Sequence, residues 1–439
     1  MSISLNRKLD ALSVAALLVS VHYGLGFLLG TGEQAFTLGV AGSLYAVSTS
    51  LGLLAILVLV KFYWKEVEPI WTLLGDCYGG FVKIVVGFLS WAWMIGVVAS
   101  QILGGAFIVK ILGLPLLPSM VTLTMAIALL SLVPVEQVSK LFQGLLVLSS
   151  LALLYSLWAV KGVPNYFHSL LEFVPALTQV NPPQLAGIPL TTIALTAIGM
   201  DFQQFIVQAK DMRSAYQGCL LAALILLLLA FLPSSVVVAA QDSGILPASI
   251  EAKQAIPYIL LWIGGGAAQP VGILLIASLL VTALGSGGGV LRVMNQTLFD
   301  LNLLAPSRRN QILLTVFNTF LVLAIALTGT SIIELIVSFY AIYVAGVLVP
   351  FLGYLLDQKG GYHFSASTIS LSLVCGSLSA VAVLVATHIL PATSLLGDAA
   401  LSILAIGIVF SSIGLLIGKV LERIEVFSEV ATDRLPTDS

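Results

Sequence analysis

Residues 20–32 read SVHYGLGFLLGTG and place four glycines in the last nine positions of an apolar run. Glycine has a low helix propensity, so this pattern predicts a membrane helix that is interrupted partway across the bilayer. Gly26 and Gly30 also form a GxxxG pattern, which favours close packing against another helix. His22 lies in the same run, and an ionisable group inside a membrane span predicts a functional site.

The composition of the whole chain places this run in a membrane. Of the 439 residues, 59% are hydrophobic and only 9% are charged, and the mean hydropathy is +1.10. Soluble globular proteins average about 25% charged residues, so this chain cannot cover a water-facing surface. The net charge of −2 gives no basic surface for nucleic acid. Because lipid offers no hydrogen-bond partners to irregular backbone, the composition predicts an all-α polytopic membrane protein.

Apolar runs of the length needed to cross a bilayer indicate about twelve transmembrane helices. If the N-terminus is cytoplasmic, only Lys110, Lys161 and Lys253 of the 18 Lys and Arg residues lie on the outer side. The positive-inside rule therefore predicts that both termini are cytoplasmic and that the protein lies in the inner (plasma) membrane. The runs are 10–31, 39–61, 80–113, 118–135, 138–161, 185–209, 214–240, 267–299, 309–328, 331–356, 366–390 and 396–420.

The predicted spans divide into two sets of five. Residues 1–161 and 185–357 hold five spans each, and a proline-rich outer connection at 162–184 separates them. Because five is odd, two copies of one unit would insert with opposite orientation. This arrangement predicts an inverted repeat with its binding site at mid-membrane. Residues 358–424 then form two accessory helices, and 425–439 form a cytoplasmic tail.

Two further spans carry polar groups. Asp201 lies nine residues before Lys210, which is roughly 13 Å above the inner charged belt along a helix. A carboxylate at that depth predicts a functional site or, together with His22, proton coupling, although it could also reach an aqueous vestibule. Thr282 and Ser286 share a helix face and could offer oxygen ligands to an alkali cation. The alternative is that each hydroxyl bonds to its own helix.

These segments resemble the sodium:solute symporter family, whose members share the leucine-transporter-type inverted repeat. The chain looks like a divergent member. Phe205 stands where the family usually has Arg, Gly285 stands where it has a second hydroxyl residue, and the extra N-terminal helix of many members is missing. The resemblance is carried by GLGFLLGTGEQAFTLGVAGSLYA at 24–46, GMDFQQFIVQAKDMRSAYQG at 199–218 and IASLLVTALGSGGGVLRVMNQTLFDLN at 276–302.

The resemblance implies a sodium site between the broken first helix and the eighth span, with a substrate cavity beside it. The sodium ligands would be the main-chain carbonyls of Ser20 and Tyr23 together with Thr282, Gly285 and Ser286. The residues expected to line the substrate cavity are Phe27, Tyr45, Thr49, Gln101, Gly199, Asp201 and Gln203, with Ser100, Tyr340 and Tyr343 as further mid-span residues.

We therefore expect a secondary active transporter that imports a small organic solute by sodium-coupled alternating access. Two alternatives remain open. The first is proton coupling through Asp201 and His22, and the second is a non-transporting sensor or partner subunit that kept the fold. The sequence has no HExxH, GxSxG or Walker A motif, so we expect neither an enzyme nor an ATP-driven pump. We expect no cofactor besides the coupling sodium ion.

Overall fold

The described backbone is almost entirely helical, in agreement with the predicted all-α class. Its only extended pairing is an isolated bridge between Leu9 and Ala209. The computed structural model describes residues 7–133, 135–329, 331–389 and 395–432, without the side chains of 135–146, 201, 388–389 and 425–432. The α-helices are α1 (Ala11–His22), α2 (Thr31–Leu38), α3 (Leu44–Ile56), α4 (Val60–Lys65), α5 (Ile70–Tyr78), α6 (Gly80–Lys110), α7 (Leu116–Ser131), α8 (Val135–Ala159), α9 (Val163–Ala176), α10 (Pro182–Ile198), α11 (Met200–Val207), α12 (Met212–Ala230), α13 (Leu232–Asp242), α14 (Ala255–Ile263), α15 (Pro270–Asp300), α16 (Arg308–Ala326), α17 (Ile332–Gln358), α18 (Ala366–Ile389) and α19 (Ala399–Thr432).

The chain is an all-α polytopic membrane protein. Within the described residues, eight helices are long and apolar enough to cross a membrane. The number is nine if Val147–Ala159 and Val163–Gln179, bent by 99° at their junction, count as one span. The predicted twelve spans also include short and broken helices. Two of these are α1 and α7, which have 12 and 16 residues, and a third is the pair α10 and α11, which is interrupted at Gly199. The count of twelve stays a prediction.

The order of helices in the first part of the chain recurs in the second. A broken helix opens each part, as α1–α2 and as α10–α11. Further along each part there is a nine-residue helix, α5 or α14, and then a 31-residue helix, α6 or α15. Helices of 16 and 25 residues follow in the first part, and helices of 19 and 27 residues follow in the second. This is the order that an internal repeat predicts, and the repeat boundaries stay a prediction.

The last two helices, α18 and α19, pack on each other and on α17. Small residues allow the close approach: a Cβ atom added to Gly407 would overlap the side chain of Ala345. One added to Gly376 would lie 2.7 Å from the Ser411 Cβ atom. Contacts between small residues are typical of membrane helices, which gain stability from van der Waals packing. The predicted tail at 425–439 has a described backbone only as far as residue 432, where α19 ends.

A buried polar chain joins α6, α15 and α16. The Trp91 indole N–H donates to the Asn318 side-chain carbonyl at 3.1 Å. The Asn318 amide donates to Asn295 at 2.8 Å, and the Asn295 amide donates to the Thr315 hydroxyl at 2.8 Å. Hydrogen bonds of this kind replace the water that polar groups lose in the membrane, so they fix these three helices relative to one another.

Candidate functional site

The first span is interrupted directly after α1. The Tyr23 N–H still donates to a carbonyl in the last turn of α1, but the Gly24 N–H donates to the His22 carbonyl at 2.9 Å. The Ser20 carbonyl therefore loses the hydrogen bond that a continuing α-helix would give it. The chain resumes as a π-helical turn over Gly26–Gly30 and continues into α2. The span thus extends beyond residue 31, the end predicted from hydropathy.

The glycines of this span have two different surroundings. A Cβ atom added to Gly26 would overlap the Ile336 side chain, and one added to Gly30 would lie 2.7 Å from Ile333 Cγ1. Both isoleucines belong to α17, so these two glycines allow the part of the span after the interruption to lie directly against that helix. Gly24 instead has no close neighbour, because a Cβ atom added there would meet no atom nearer than 3.9 Å. Both explanations that the sequence left open, interruption and close packing, therefore apply to different glycines.

A cavity of about 70 Å³ lies beside the interruption. A Cβ atom added to Gly24 would lie 3.9 Å from both the Gln101 amide nitrogen and the Ser286 hydroxyl, which places Gly24 between α6 and α15. One water needs roughly 10–15 Å³ of such space, so the cavity holds about five water-sized molecules. Five aromatic side chains form much of the wall: Phe27, Tyr45, Trp93, Phe202 and Tyr340.

His22 connects the two broken helices. Its ring stacks on Phe202 of α11, with ring centroids 4.2 Å apart and planes 19° from parallel. Its Nδ1 atom lies 2.8 Å from the Leu18 carbonyl within α1. The ring therefore has a fixed orientation, and the stacking joins α1 of the first interrupted span to α11 of the second.

The structure brings one group of the predicted site residues together at the cavity. These are His22, Phe27, Tyr45, Gln101, Ser286 and Tyr340. A second group directs its hydroxyls to carbonyls of its own helix, which is the alternative that the sequence left open for Thr282. These are Ser20 to Leu17, Thr49 to Tyr45, Ser100 to Val97 and Thr282 to Ser278, at 2.7–3.0 Å. Tyr23 is buried at the end of α1, where its side chain interacts with Ser150 of α8.

The second interruption, at Gly199, is held by two tyrosine hydroxyls. Tyr63 of α4 donates to the Ala197 carbonyl at 2.6 Å, and Tyr343 of α17 donates to the Ile198 carbonyl at 3.2 Å. These carbonyls belong to the last turn of α10, which has no following helical N–H groups to bond them. Tyr343, expected at the substrate cavity, thus caps α10. Tyr63 was missed because nothing in its local sequence links it to residues more than 130 positions away.

Around Asp201 the structure differs from the expected arrangement. The Asp201 side chain lies outside the described side chains. Gln203 was expected at the cavity, but its amide donates to the Glu68 carbonyl at 3.0 Å and it is not among the described lining residues. Phe202, between them, does line the cavity.

Helical spacing would have identified three further lining residues. Trp93 and Val97 precede Gln101 by eight and four residues, so all three lie on one face of α6. In the same way, Val290 follows Ser286 by one turn of α15 and also lines the cavity. One known cavity residue on a helix therefore predicts its neighbours one turn away.

The cavity is closed on the side of α2 and open on the side of α1. The Glu33 carboxylate of α2 accepts the Ile332 N–H at 2.9 Å, and its other oxygen lies 4.0 Å from the Lys253 ammonium. These contacts tie α2 to the start of α17 and to the segment before α14. On the opposite side Val21 lines the cavity and is 42% exposed, and a Cβ atom added to Gly289 would meet no atom within 4 Å.

No family model and no curated protein sequence matches the chain. Solved transporter structures do match it along nearly its whole length. A Na⁺-coupled sialic acid symporter in a substrate-bound outward-open state has a TM-score of 0.59 at 13% identity, over 93% of this chain and 91% of that chain. A manganese transporter of Eremococcus coleocola has a TM-score of 0.57 at 15% identity, over 94% and 96%. The nucleobase-cation-symport-1 family transporter Mhp1, closed with bromovinylhydantoin bound, has a TM-score of 0.56 at 11% identity, over 94% and 92%.

The chain has the fold of these transporters. More than nine-tenths of this chain is matched in each comparison. The matched structures are membrane transporters rather than enzymes, in agreement with the sequence-based expectation. Identities of 11–15% establish the fold alone, so the resemblance to sodium:solute symporters stays a prediction at the level of the family.

Proposed function

We propose that the protein is a secondary active transporter that imports a small organic solute together with sodium by alternating access. The observation that carries this proposal is the position of Ser286 of α15 beside Gly24, at the interruption that releases the Ser20 carbonyl. Hydroxyl and carbonyl oxygens are hard ligands suited to an alkali cation, by analogy with calcium and magnesium sites. One solved structure with this fold is of a Na⁺-coupled symporter, which supports the proposal.

In this proposal sodium links two parts of the molecule. The carbonyls of Ser20 and Tyr23 come from α1, which packs on α11 and α12, whereas Ser286 comes from α15, which the polar chain fixes to α6 and α16. The Thr282 hydroxyl donates to its own helix and keeps its lone pairs for an ion, and Gly285 contributes main chain only. An ion shared between these parts favours the conformation in which they lie close, through its different affinity for the two states.

Solute uptake into proteoliposomes tests the sodium proposal. Uptake by the wild type is expected to depend on an inward sodium gradient, and Ser286→Ala is expected to lose this dependence. Ser278→Ala is the matched control. Ser278 lies two turns before Ser286 on the same helix, and its hydroxyl donates to the Leu275 carbonyl. Uptake that is independent of sodium, or equal in Ser286→Ala and the wild type, would refute sodium coupling at this site.

Proton coupling is the second candidate, and the position of His22 at the cavity favours it. It predicts uptake driven by an inward pH gradient and lost in Asp201→Asn. Normal transport by that variant would leave the carboxylate without a coupling role. Solute binding without accumulation under either gradient would instead assign the chain to the non-transporting alternative.

The lining supports an organic solute over a divalent metal. One similar structure is a manganese transporter. Manganese favours several carboxylate, carbonyl or water oxygens, and nitrogen ligands in a protein site come mainly from histidine. The described lining of this cavity contains one imidazole and no carboxylate or thiol. We accordingly expect no manganese-driven uptake, measured in the same vesicles.

We also propose the topology that the sequence predicts. The open side of the cavity is the α1 side, which lies nearest the N-terminal residues. If both termini are cytoplasmic in an inner (plasma) membrane, the described conformation is inward-open. Residues 1–161 and 185–357 are then the two inverted repeats, and the recurring order of helix types supports that division.

A further inference from the structure

Helix α9 leaves the end of α8 at nearly a right angle, because the chain bends by 99° at their junction. Lys161 ends α8 with a left-handed backbone, at φ +55°, and its N–H donates to the Trp158 carbonyl at 3.0 Å. The Gly162 N–H donates to the Leu157 carbonyl at 2.7 Å. These two hydrogen bonds form a Schellman motif, which ends a helix and fixes the direction of the chain that follows.

The bend lies at the level of the lipid headgroups. α8 has 25 residues, about 37 Å of helix, which exceeds the roughly 30 Å of the hydrocarbon layer. Tyr155 and Trp158, in the last two turns of α8, are both more than half exposed. Exposed Tyr and Trp side chains concentrate at the boundary between hydrocarbon and water. A helix that starts there, at 99° to one that crosses the bilayer, runs along the membrane surface.

One side of α9 is hydrogen-bonded to the helices behind it. The Tyr166 hydroxyl donates to a carbonyl of α12 at 2.8 Å, and the Ser169 hydroxyl lies 3.0 Å from the Ser235 hydroxyl of α13. The neighbouring Ser234 hydroxyl lies 2.7 Å from that of Ser43, in the turn between α2 and α3. These contacts fix the rotation of α9 about its axis and connect it to the α2 side of the cavity.

The rest of α9 divides into a polar side and an apolar side. The polar side carries Asn165, His168 and Glu172, spaced three or four residues apart. The His168 and Glu172 side chains are 69% and 63% exposed. Counted at 3.6 residues per turn, the third side lies about a third of a turn from each of the other two. It consists of exposed apolar residues, here called the apolar face: Val163, Phe167, Leu170, Leu171 and Val174.

This three-sided pattern fits a helix at the boundary between water and hydrocarbon. If α9 lay within the hydrocarbon layer, the Glu172 carboxylate and the His168 ring would be costly there. If it lay in water, the apolar face would stay exposed, including Leu171, which is 78% exposed. At the boundary, each of the three sides meets a medium of its own polarity.

We propose that α9 is a lipid-binding helix whose apolar face inserts between phospholipid headgroups and acyl chains. The bilayer surface is thus a binding partner of the protein, connected through α13 to the turn that follows α2. α9 contains no Lys or Arg, so apolar burial rather than attraction to anionic lipid provides the contact. The proposal does not depend on the solute or on the coupling ion.

Electron paramagnetic resonance of spin-labelled variants in phosphatidylcholine liposomes tests the contact. In a background without the three native cysteines, Leu171→Cys places a label on the apolar face and Glu172→Cys places one on the polar side. Leu224→Cys is the reference for a lipid-facing position inside a span, because Leu224 is 50% exposed near the middle of the 31-residue span Met212–Asp242. Collisions with oxygen, which concentrates in hydrocarbon, and with a water-soluble nickel chelate report the depth of each label.

The Leu171→Cys label is expected roughly 5–10 Å below the headgroup level, with the Glu172→Cys label in water and the Leu224→Cys label deeper than both. A Leu171→Cys label as accessible to nickel as the Glu172→Cys label would show that water covers the apolar face. A label as deep as that of Leu224→Cys would place α9 within the hydrocarbon, and one screened from both reagents would show that protein covers it. Each of these three results overturns the proposal.

Fluorescence quenching provides a second test that needs no cysteine variant. Phe167→Trp adds an indole on the apolar face, and His168→Trp, one residue along, is the matched control on the polar side. In liposomes of brominated phosphatidylcholine, the fluorescence added by Phe167→Trp is expected to be quenched more by bromines near the headgroup than by bromines near the chain ends. Equal quenching of the two variants, or stronger quenching of Phe167→Trp by the deeper bromines, contradicts an interfacial α9.

Discussion

Replacing Gly30 with alanine is expected to open the α2 side of the cavity. The new Cβ atom would lie 2.7 Å from Ile333 Cγ1 and 3.4 Å from Ile332 Cγ2, whereas carbon atoms in contact normally lie about 3.5–4.0 Å apart. Overpacking of this kind costs about 1–3 kcal/mol. The cost applies to the state in which α2 lies against α17. If α2 leaves α17 in the opposite state, the equilibrium moves about 5- to 150-fold toward the state open on the α2 side.

Cysteine labelling measures this shift. Ala41 is fully buried and lines a small pocket on the α2 side, so a cysteine there reacts only when that side opens. In a background without the three native cysteines, Ala41→Cys is expected to react with a membrane-impermeant maleimide at least fivefold faster when Gly30→Ala is present. Gly80→Ala is the control, because a Cβ atom there meets nothing within 4 Å. Ile333→Ala, which removes the clashing atom, is expected to restore slow labelling.

The result that refutes this reasoning is a lower melting temperature with an unchanged labelling rate. It would show that α2 stays against α17 in every populated state. The clash would then destabilise the whole fold without redistributing its conformations. Faster labelling in the Gly80→Ala control would also refute it, because the effect would then not depend on contact with α17.

Three further perturbations test other parts of the structure. Asn295→Leu is expected to lower the free energy of unfolding by about 1–3 kcal/mol, because the buried Asn318 amide on α16 then loses its acceptor, whereas the exposed Gln296→Leu changes little in chemical denaturation. Asp211 is the N-cap of α12, and the hydrogen bond from the Ser214 N–H lowers the pKa of its carboxyl group. Asp211→Ala should therefore lower the melting temperature at neutral pH. The difference in melting temperature from the wild type should shrink below pH 3.8, because the wild-type carboxylate then protonates. Tyr63→Phe removes the donor to the last turn of α10 and is expected to lower thermal stability while solute affinity is retained.

The membrane class and the first interruption follow from local chemistry, so they were predictable. A charged fraction of 9% excludes a soluble fold, and closely spaced glycines disfavour a continuous helix wherever they occur. The end of the first span was not predictable. Residues 31–38 contain Glu33 and Gln34, which read as a polar loop. They form α2 because α17 and its preceding residue supply partners: the Ile332 N–H for Glu33 and the Ser331 hydroxyl for Gln34.

The candidate site likewise contains residues that could be predicted from the sequence and residues that could not. Gln101 and Ser286 could be found because polar groups are rare within spans. Gln203 is equally polar, but its partner is the Glu68 carbonyl, 135 residues away. The sequence pattern alone cannot distinguish a polar residue that lines a cavity from one that hydrogen-bonds to a distant main-chain group. Phe202 lies between two of the expected residues, but nothing in the sequence distinguishes an aromatic residue in an apolar run, and its contact with His22 depends on the fold.

The absence of charged side chains from the described lining has an electrical consequence. If sodium is the coupling ion as proposed, the solute is neutral and the wall contributes no mobile charge, the sodium ion is the sole charge carrier of each cycle. Import is then electrogenic, and each 100 mV of membrane potential, negative inside, adds about 2.3 kcal/mol to the driving force. That energy corresponds to about a fiftyfold steeper solute gradient. A cell could thus accumulate the solute from its membrane voltage alone when the sodium concentrations on the two sides are equal.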